Sequence, residues 1–342
     1  MGLMSAATRI GELAPLPDAM IRAAIAFFCG RTARSLARTA PGAEIAFARA
    51  MNEYPIARNT RDANAQHYEL PAEFFNLVLG PQRKYSCCYY GDAVATLPQA
   101  EERALRLTAE HAGLRNGQDI LELGCGWGSL SLWMARAFPD SQIKSVSNSH
   151  SQREFIENQA REFQIRNLRV VTSDINHFAP AERFDRVVSV EMFEHMSNWR
   201  ALFARVRSWM TPDGRFFMHV FTHKRVPYRY RTEDKADWIA QHFFTGGIMP
   251  SHGLARRFPD LFEVEDDWAW DGTHYERTAL DWLSNFDARE AEIMPVLRRV
   301  YGADAPLWKK RWRLFFLATA GMFGHAEGRE WGVSHYRMKS AS

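Results

Sequence analysis

The sequence is poor in the features that mark specialised protein classes. Only four of its 342 residues are cysteine, namely Cys29, Cys87, Cys88 and Cys125. That is too few for a secreted disulfide scaffold, and the paired C-x-x-C spacing of a metal site is missing. The four are therefore read as thiols of a reducing compartment, an expectation of a cytoplasmic, metal-free protein. Neither sign of charge dominates, since 43 basic and 40 acidic residues leave a formal +3, and charge alone gives no footprint for nucleic acid or a membrane surface. No apolar run approaches the roughly 18 to 20 residues of a spanning helix. The stretch 23–29 lies between Arg22 and Arg31 in an amphipathic pattern, which is read as a helix and not a signal peptide. With 46% hydrophobic and 24% charged residues, disorder, collagen and coiled coil are excluded, and the length suits one large domain or two ordinary ones. Rings are what the chain has in quantity: 23 Phe, 11 Trp and 10 Tyr, concentrated after residue 190, predict a ring-built core or a large apolar cavity.

Met20, Ile21, Ala24, Ile25 and Phe28 recur at helical spacing, and Ala46, Phe47 and Met51 continue more weakly before Pro55, so the chain opens on a helical lead-in. From Asn64 it becomes dense in polar and aromatic residues, including His67, Tyr68, Glu69, Phe74 and Phe75. That stretch ends in Tyr85-Ser86-Cys87-Cys88-Tyr89-Tyr90, a candidate site loop. Helices expected over 101–112, 129–138 and 151–163 then alternate with strands over 119–123, 143–147, 168–172 and 184–190, the pattern of a parallel sheet covered on both faces. Pro212-Asp213-Gly214 reads as a turn feeding a strand over 215–221. Beyond it, Pro227, Phe243, Phe244, Gly246, Gly247 and Pro250 suit a cap better than a sheet. A strand over 262–268, a helix over 278–299 and a closing strand over 331–338 complete the expected elements.

The strongest motif is Asp119-Ile-Leu-Glu122-Leu-Gly124-Cys-Gly126-Trp-Gly128, an apolar strand running into alternating glycines. Glycine lets the backbone turn sharply and approach a ligand at the carboxyl edge of a parallel strand. Glu122 places a carboxylate there, which suits a cationic amino group and would repel a pyrophosphate. The next two strands end at Ser147-Asn148-Ser149 and Ser173-Asp174-Ile175.

This series resembles the S-adenosylmethionine-dependent methyltransferase fold. It implies a class I, Rossmann-like, α/β architecture with a seven-stranded, mostly parallel sheet. Tyr85-Ser86-Cys87-Cys88-Tyr89, the Glu122 to Gly128 loop and Glu191-Met-Phe-Glu194-His195-Met narrow the resemblance to the cyclopropane fatty acid synthase family. Within it, the Glu-Met-Phe-Glu-His segment, Phe243-Phe244-Thr245-Gly246-Gly247 and the tail Trp331-Gly-Val-Ser-His335 look like the coclaurine N-methyltransferase branch. The implied organisation is a helical segment with a cofactor-covering loop over 1–99, a cofactor-binding core over 100–222, a cap over 223–260, and C-terminal helices with closing strands over 261–342.

Carried over residue by residue, the resemblance implies S-adenosylmethionine as cofactor. Tyr85 and Ser86 would close over it, Glu122 would hold its amino group, and Gly124, Gly126, Asn148, Gln152, Asp174 and Ile175 would line it. Asn148 stands where the usual methyltransferase has an acidic residue on the ribose, and Asn148 and Gln152 are amides able to bond those hydroxyls. Two acceptor chemistries stay open. In the N-methyltransferase branch Glu191, Glu194 and His195 form the amine site, with a small hydrophobic aromatic or cyclic amine as substrate. In the cyclopropane synthases a bicarbonate base sits among residues matching Cys87, Glu194, His219 and Tyr275, and the partner is the alkene of a membrane phospholipid. The cyclopropane synthases have glycine where Glu191 stands. No nucleic-acid partner is expected, and a homodimer is allowed.

The chemistry explains the residue types. An alkylamine with a pKa of about 10 is protonated at neutral pH and cannot attack before losing a proton, so carboxylates draw in the cation and, with His195, accept that proton. An alkene instead leaves a carbocation that must lose a proton to a small anionic base. Arg225, Arg229, Arg231 and Lys235 are read as solvated cap surface, Cys88 as a spacer, and most of the aromatic residues as core.

Overall fold

The computed structural model describes residues 16–58, 70–91, 93–230 and 238–341. Asn64, residues 67–69, Arg231 and Lys235 therefore lie outside the described residues. The chain opens with helices α1 (Asp18–Ala37), α2 (Ala43–Ala50), α3 (Ala72–Val78) and α4 (Leu97–Ala112). An alternating series follows: β1 (Asp119–Leu123), α5 (Ser129–Ala137), β2 (Gln142–Ser147), α6 (His150–Glu162), β3 (Leu168–Thr172) and β4 (Phe184–Val190). Then come α7 (Trp199–Trp209), β5 (Met210–His223), β6 (Tyr228–Arg229), α8 (Trp238–His242) and β7 (Ile248–Met249). The last elements are β8 (Phe262–Asp271), α9 (Thr273–Ala288), α10 (Glu290–Tyr301), α11 (Ala305–Phe323) and β9 (Trp331–Ser340).

Seven strands form one sheet in the order β3-β2-β1-β4-β5-β9-β8, and β6 pairs with β7 in a separate two-stranded ribbon. The pairs from β3 to β5 are parallel, while β9 runs antiparallel to both β5 and β8. Burial on both faces explains the near-continuous apolar text of β1, where Ile120, Leu121 and Leu123 are fully enclosed. Strand order reverses between β2 and β4 on either side of β1, so the crevice for a ligand opens beyond the carboxyl ends of β1 and β4.

Three expectations are adjusted. Helix α4 starts ahead of residue 101 because Thr96 and Gln99 form a reciprocal capping box with proline in the first turn. Pro212-Asp213-Gly214 does not precede the strand but lies within β5, where the pairing with β4 jumps from Phe184↔Met210 to Arg186↔Arg215 and absorbs the turn as an irregularity. The helix expected over 278–299 is two helices, broken at Arg289, whose guanidinium group bonds the carbonyls of Asn76 and Leu77 at the end of α3.

The aromatic residues divide between two cores, one with Phe193, Trp199, Phe203, Phe216 and Phe262 and one built by the C-terminal helices. Helices α9, α10 and α11 pack on one another and on α1 and α3. Phe74, Trp282, Phe286, Trp312 and Phe316 fill their common core, with Phe243 stacked on Phe315 at 4.5 Å. Helix α1 has no fully buried residue and is held by Asp18 paired with Arg313 at 2.6 and 2.8 Å. Arg229, read above as solvated surface, is half-buried instead, 4.1 Å from the Tyr54 ring, whereas Arg225 is exposed. Among the described residues no helix is long and apolar enough to cross a membrane.

Candidate active site

After β1 the chain passes through Gly124, Gly126 and Gly128 at φ values of +79°, +51° and +80°. These are left-handed conformations that cost glycine nothing. A Cβ at Gly124 would come within 2.8 Å of Met192 and one at Gly128 within 2.6 Å of Ile156, but Gly126 faces open space. The loop is thus clamped at its ends and bare in the middle, where a ligand can lie on the backbone.

Two adjoining cavities meet at this loop. The first is lined by Gly124, Gly126, Asn148, Gln152, Ser173 and Ile175, together with Ala57, Arg58, Met192 and Met196. The second is lined by Tyr85, Ser86, Glu122, Gly124, Gly126, Trp127 and Ser129. Buried polar atoms without a partner among the described residues lie in both walls: Gln152 Nε2 in the first, Trp127 Nε1 and Ser129 Oγ in the second. Burial leaves such atoms costly unless a ligand meets them. Glu122 is 3% exposed and accepts hydrogen bonds from Ser145 Oγ at 2.8 Å and from Ser131 Oγ. Burial pushes its carboxyl up to about 7. Asp174 stands beside the first cavity and not in its lining, with Oδ1 accepting from Asn176 N at 2.8 Å as a turn cap. Sequence reading missed Ala57, Arg58, Met192 and Met196, which carry no motif of their own.

The covering loop is pinned from below. Buried Lys84 donates to Ser86 Oγ at 2.5 Å and to the Cys87 carbonyl at 2.6 Å, and Cys88 N donates to Thr278 Oγ1 at 3.0 Å. Cys88 is accordingly a backbone anchor. This arrangement turns the Cys87 amide toward Glu191, at the end of β4.

Glu191 is the centre of the site. Its Oε1 accepts from Cys87 N at 2.8 Å and meets His219 Nε2 at 3.1 Å, while its Oε2 accepts from Tyr275 Oη at 2.7 Å. The residue holds φ at +45°, and its side chain is 9% exposed. Burial raises its pKa, against the opposing pull of the Lys84 charge and of the Cys87 and Tyr275 hydrogen bonds. Burial also drives His219 well below its usual value and, with the adjacent carboxylate, lifts Tyr275 well above its own. Cys87, His219 and Tyr275 therefore do assemble, but around Glu191 and not around Glu194.

Glu194 is fully buried behind this cluster, and its Oε1 accepts from Phe221 N at 2.7 Å. Burial and the neighbouring Glu191 charge raise its pKa well above the carboxylate range. His195 reaches the cavity surface with its ring 4.5 Å from that of Phe244, and burial lowers its pKa to about 4. Its basicity is accordingly small.

A third cavity opens on the other side of Glu191 and His195. Tyr85, Phe221, Tyr230, Phe244, Trp282 and Phe323 line it, with Tyr275 at its base. Glu191 is common to all three cavities.

Residues 57–327 match the family described as mycolic acid cyclopropane synthetase. The chain belongs to that family. The (S)-coclaurine N-methyltransferase of Thalictrum flavum subsp. glaucum is 33% identical over 337 residues, covering 96% of this chain and 93% of its own. The cyclopropane-fatty-acyl-phospholipid synthase of Escherichia coli K12 is 30% identical over 273 residues, covering 78% of this chain and 66% of its own. A crystal structure of coclaurine N-methyltransferase bound to N-methylheliamine and SAH superposes with a TM-score of 0.93 at 32% identity, covering 99% of this chain and 100% of that one. This member of the family is an S-adenosylmethionine-dependent methyltransferase of class I fold.

Proposed function

We propose that the enzyme methylates the nitrogen of a hydrophobic, aromatic cyclic amine of the benzylisoquinoline type, with Glu191 as the group that receives the amine's proton. The observation that carries this reading is the place of Glu191, the one carboxylate common to the two glycine-loop cavities and the aromatic cavity. The N-methyltransferase relatives support it.

In this reading the glycine loop, Glu122, Asn148 and Gln152 hold the cofactor, whose sulfonium supplies an electrophilic methyl group. Everything else is the work of the chain. The rings of Tyr230, Phe244, Trp282 and Phe323 receive the apolar body of the amine and favour its cation. Glu191 attracts the ammonium and takes one of its protons, freeing the lone pair that forms the new carbon–nitrogen bond. A carboxylate whose pKa is raised by burial is better matched to an ammonium than an exposed one. The Cys87 amide, His219 and Tyr275 fix where that carboxylate points, which matters because in-line transfer draws most of its acceleration from orientation. His195 lies beside the nucleophile as a neutral ring, and residues 223–260 serve as the cap.

Bicarbonate does not fit this donor set. The Cys87 amide, His219 Nε2 and Tyr275 hydroxyl already surround the Glu191 carboxylate, so a second anion would meet a charge where it needs donors. We therefore set the phospholipid alternative aside.

Turnover with labelled S-adenosylmethionine, offered cyclic benzylic amines and unsaturated phospholipid vesicles in parallel, tests the proposal by product mass. Methylated amine is expected with no lipid product. A lipid heavier by one methylene, with the amines untouched, would overturn it.

A further inference from the structure

Behind Glu191 lies a row of three imidazoles. His219 Nε2 faces Glu191 Oε1 at 3.1 Å, His335 Nε2 lies 2.8 Å from His219 Nδ1, and His111 Nδ1 lies 2.8 Å from His335 Nδ1. The sheet itself sets up the row, because His219 of β5 pairs directly with His335 of β9, which in turn pairs with Trp268 of β8. His111, from the last turn of α4, stacks on that Trp268 ring at 3.9 Å with 2° between the planes. His219 and His335 are completely buried, with Trp270 4.2 Å from the His335 ring and Phe217 5.0 Å from it, and the row ends at the half-buried His111.

We propose that His335 and His111 are positioning residues that lock His219 in its Nε2–H tautomer, so that His219 always donates to Glu191 and never competes with it for the amine's proton. The inference rests on the role given to Glu191 above.

Three contacts and three rings leave little freedom. The charged groups facing the row are Lys84 near His219 and His335, Arg103 and Arg337 near His111, and Glu191 at the inner end. Burial and those cations disfavour a charge on any ring, so each imidazole carries one proton, and each contact must hold one. Only two arrangements satisfy this: all donors point toward Glu191 or all point away. The ionised carboxylate selects the first, with protons on His219 Nε2, His335 Nε2 and His111 Nδ1. Donation into His219 Nδ1 then strengthens the Nε2–H bond to Glu191, because bonds in a chain polarise one another. It also occupies the lone pair through which His219 would become an imidazolium. An imidazolium there would add a positive charge beside a site that must accept both a sulfonium and an ammonium.

Two readouts on the full-length protein test this, using wild type, His335→Leu, His335→Gln and His111→Phe. Nitrogen-15 NMR of labelled imidazoles in the SAH-bound protein reads the tautomer of His219 without any amine present, and the pH dependence of kcat, measured with S-adenosylmethionine and an amine, reads Glu191. Wild type should show a single Nε2–H tautomer. In His335→Leu the proton should spread over both ring nitrogens of His219, with the acid limb of kcat moved up by about half a pH unit and SAH affinity unchanged. His335→Gln, whose amide can donate to His219 Nδ1, should keep the wild-type pattern. His111→Phe, altered at the half-buried end, should shift His219 in the same direction by less, and it keeps the test available if the buried leucine variant does not fold. An unchanged His219 tautomer and acid limb in the folded variants would overturn the proposal. Loss of the tautomer lock in a protein whose wild type leaves every amine untouched would overturn the reaction assigned above and leave the chain standing.

Discussion

Glu191 occupies a backbone conformation that glycine adopts freely and other residues avoid. At φ +45° its Cβ crowds the following carbonyl, at a cost of about 1 to 2 kcal/mol, and its carboxylate is buried as well. Strain of this kind persists where the surroundings over-determine it, here through the Cys87 amide, His219 and Tyr275. Glu191→Gly should therefore remove a conformational strain and a buried charge while deleting the proton acceptor. The strain relieved is offset by three buried donors left without their acceptor, so the expected result is a folded protein with kcat reduced at least about 100-fold, checked by calorimetric melting beside the amine assay. A folded variant that turns over normally would remove Glu191 from the role given to it. The sequence could not distinguish Glu191 from Glu194, three residues apart in one motif. The local backbone makes the choice, turning the first carboxylate to the cavities and the second into the wall, and a φ value is not written in residue type.

Strands β1, β3 and β4 fall on the expected spans. In β1, covered on both sides, the text is a near-continuous apolar run, whereas β3 at the sheet edge and β4 carry Arg169, Asp185 and Arg186 and are marked by their paired valines between turn residues. Helices α7 and α11 were not anticipated. In α11 the side chains from Trp312 to Phe323 are apolar on several sides, since it packs against α1, α9 and α10 at once, and a helix enclosed on all sides loses the periodic signal. The strand, loop and helix around the glycines was legible throughout, and it makes its own prediction. Glu122 leaves β1 to meet Ser131 of α5 and Ser145 of β2, and with a pKa of about 7 it is half-ionised near neutrality. A cationic amino group binds the ionised form, so cofactor affinity should rise as pH increases from 6 to 8 and then level off. In Glu122→Gln titration calorimetry should find affinity weaker by about tenfold, corresponding to one charge-assisted hydrogen bond, and flat across the same range. A wild-type affinity that falls with pH would exclude Glu122 as the partner of that amino group.

At the scale of the molecule, two kinds of carboxylate set the pH range of stability. Asp18 and Asp260 are lowered by hydrogen bonds to Arg313 and Arg200, but both are solvent-screened, so each adds only a small contribution, complete above the ordinary aspartate value and lost as pH falls through the lowered one. Glu101 is of the opposite kind. It is fully buried, it accepts from the backbone amides of Gln82 and Lys84 at 2.8 and 3.2 Å, and burial raises its pKa from 4.5 to about 7. A group raised on folding stabilises below its unfolded value, and that contribution disappears as pH climbs through the folded one. Wild type should accordingly lose melting temperature between pH 5 and 8. A glutamine at this position has no charge to bury but keeps an oxygen for only one of the two amides, which bond different carboxylate oxygens, so Glu101→Gln should be less stable than wild type at pH 5 and should lose less stability than wild type between pH 5 and 8, by up to about 3 kcal/mol. Equal pH dependence in the two proteins would mean that the Glu101 carboxyl is not the group whose ionisation loosens the fold.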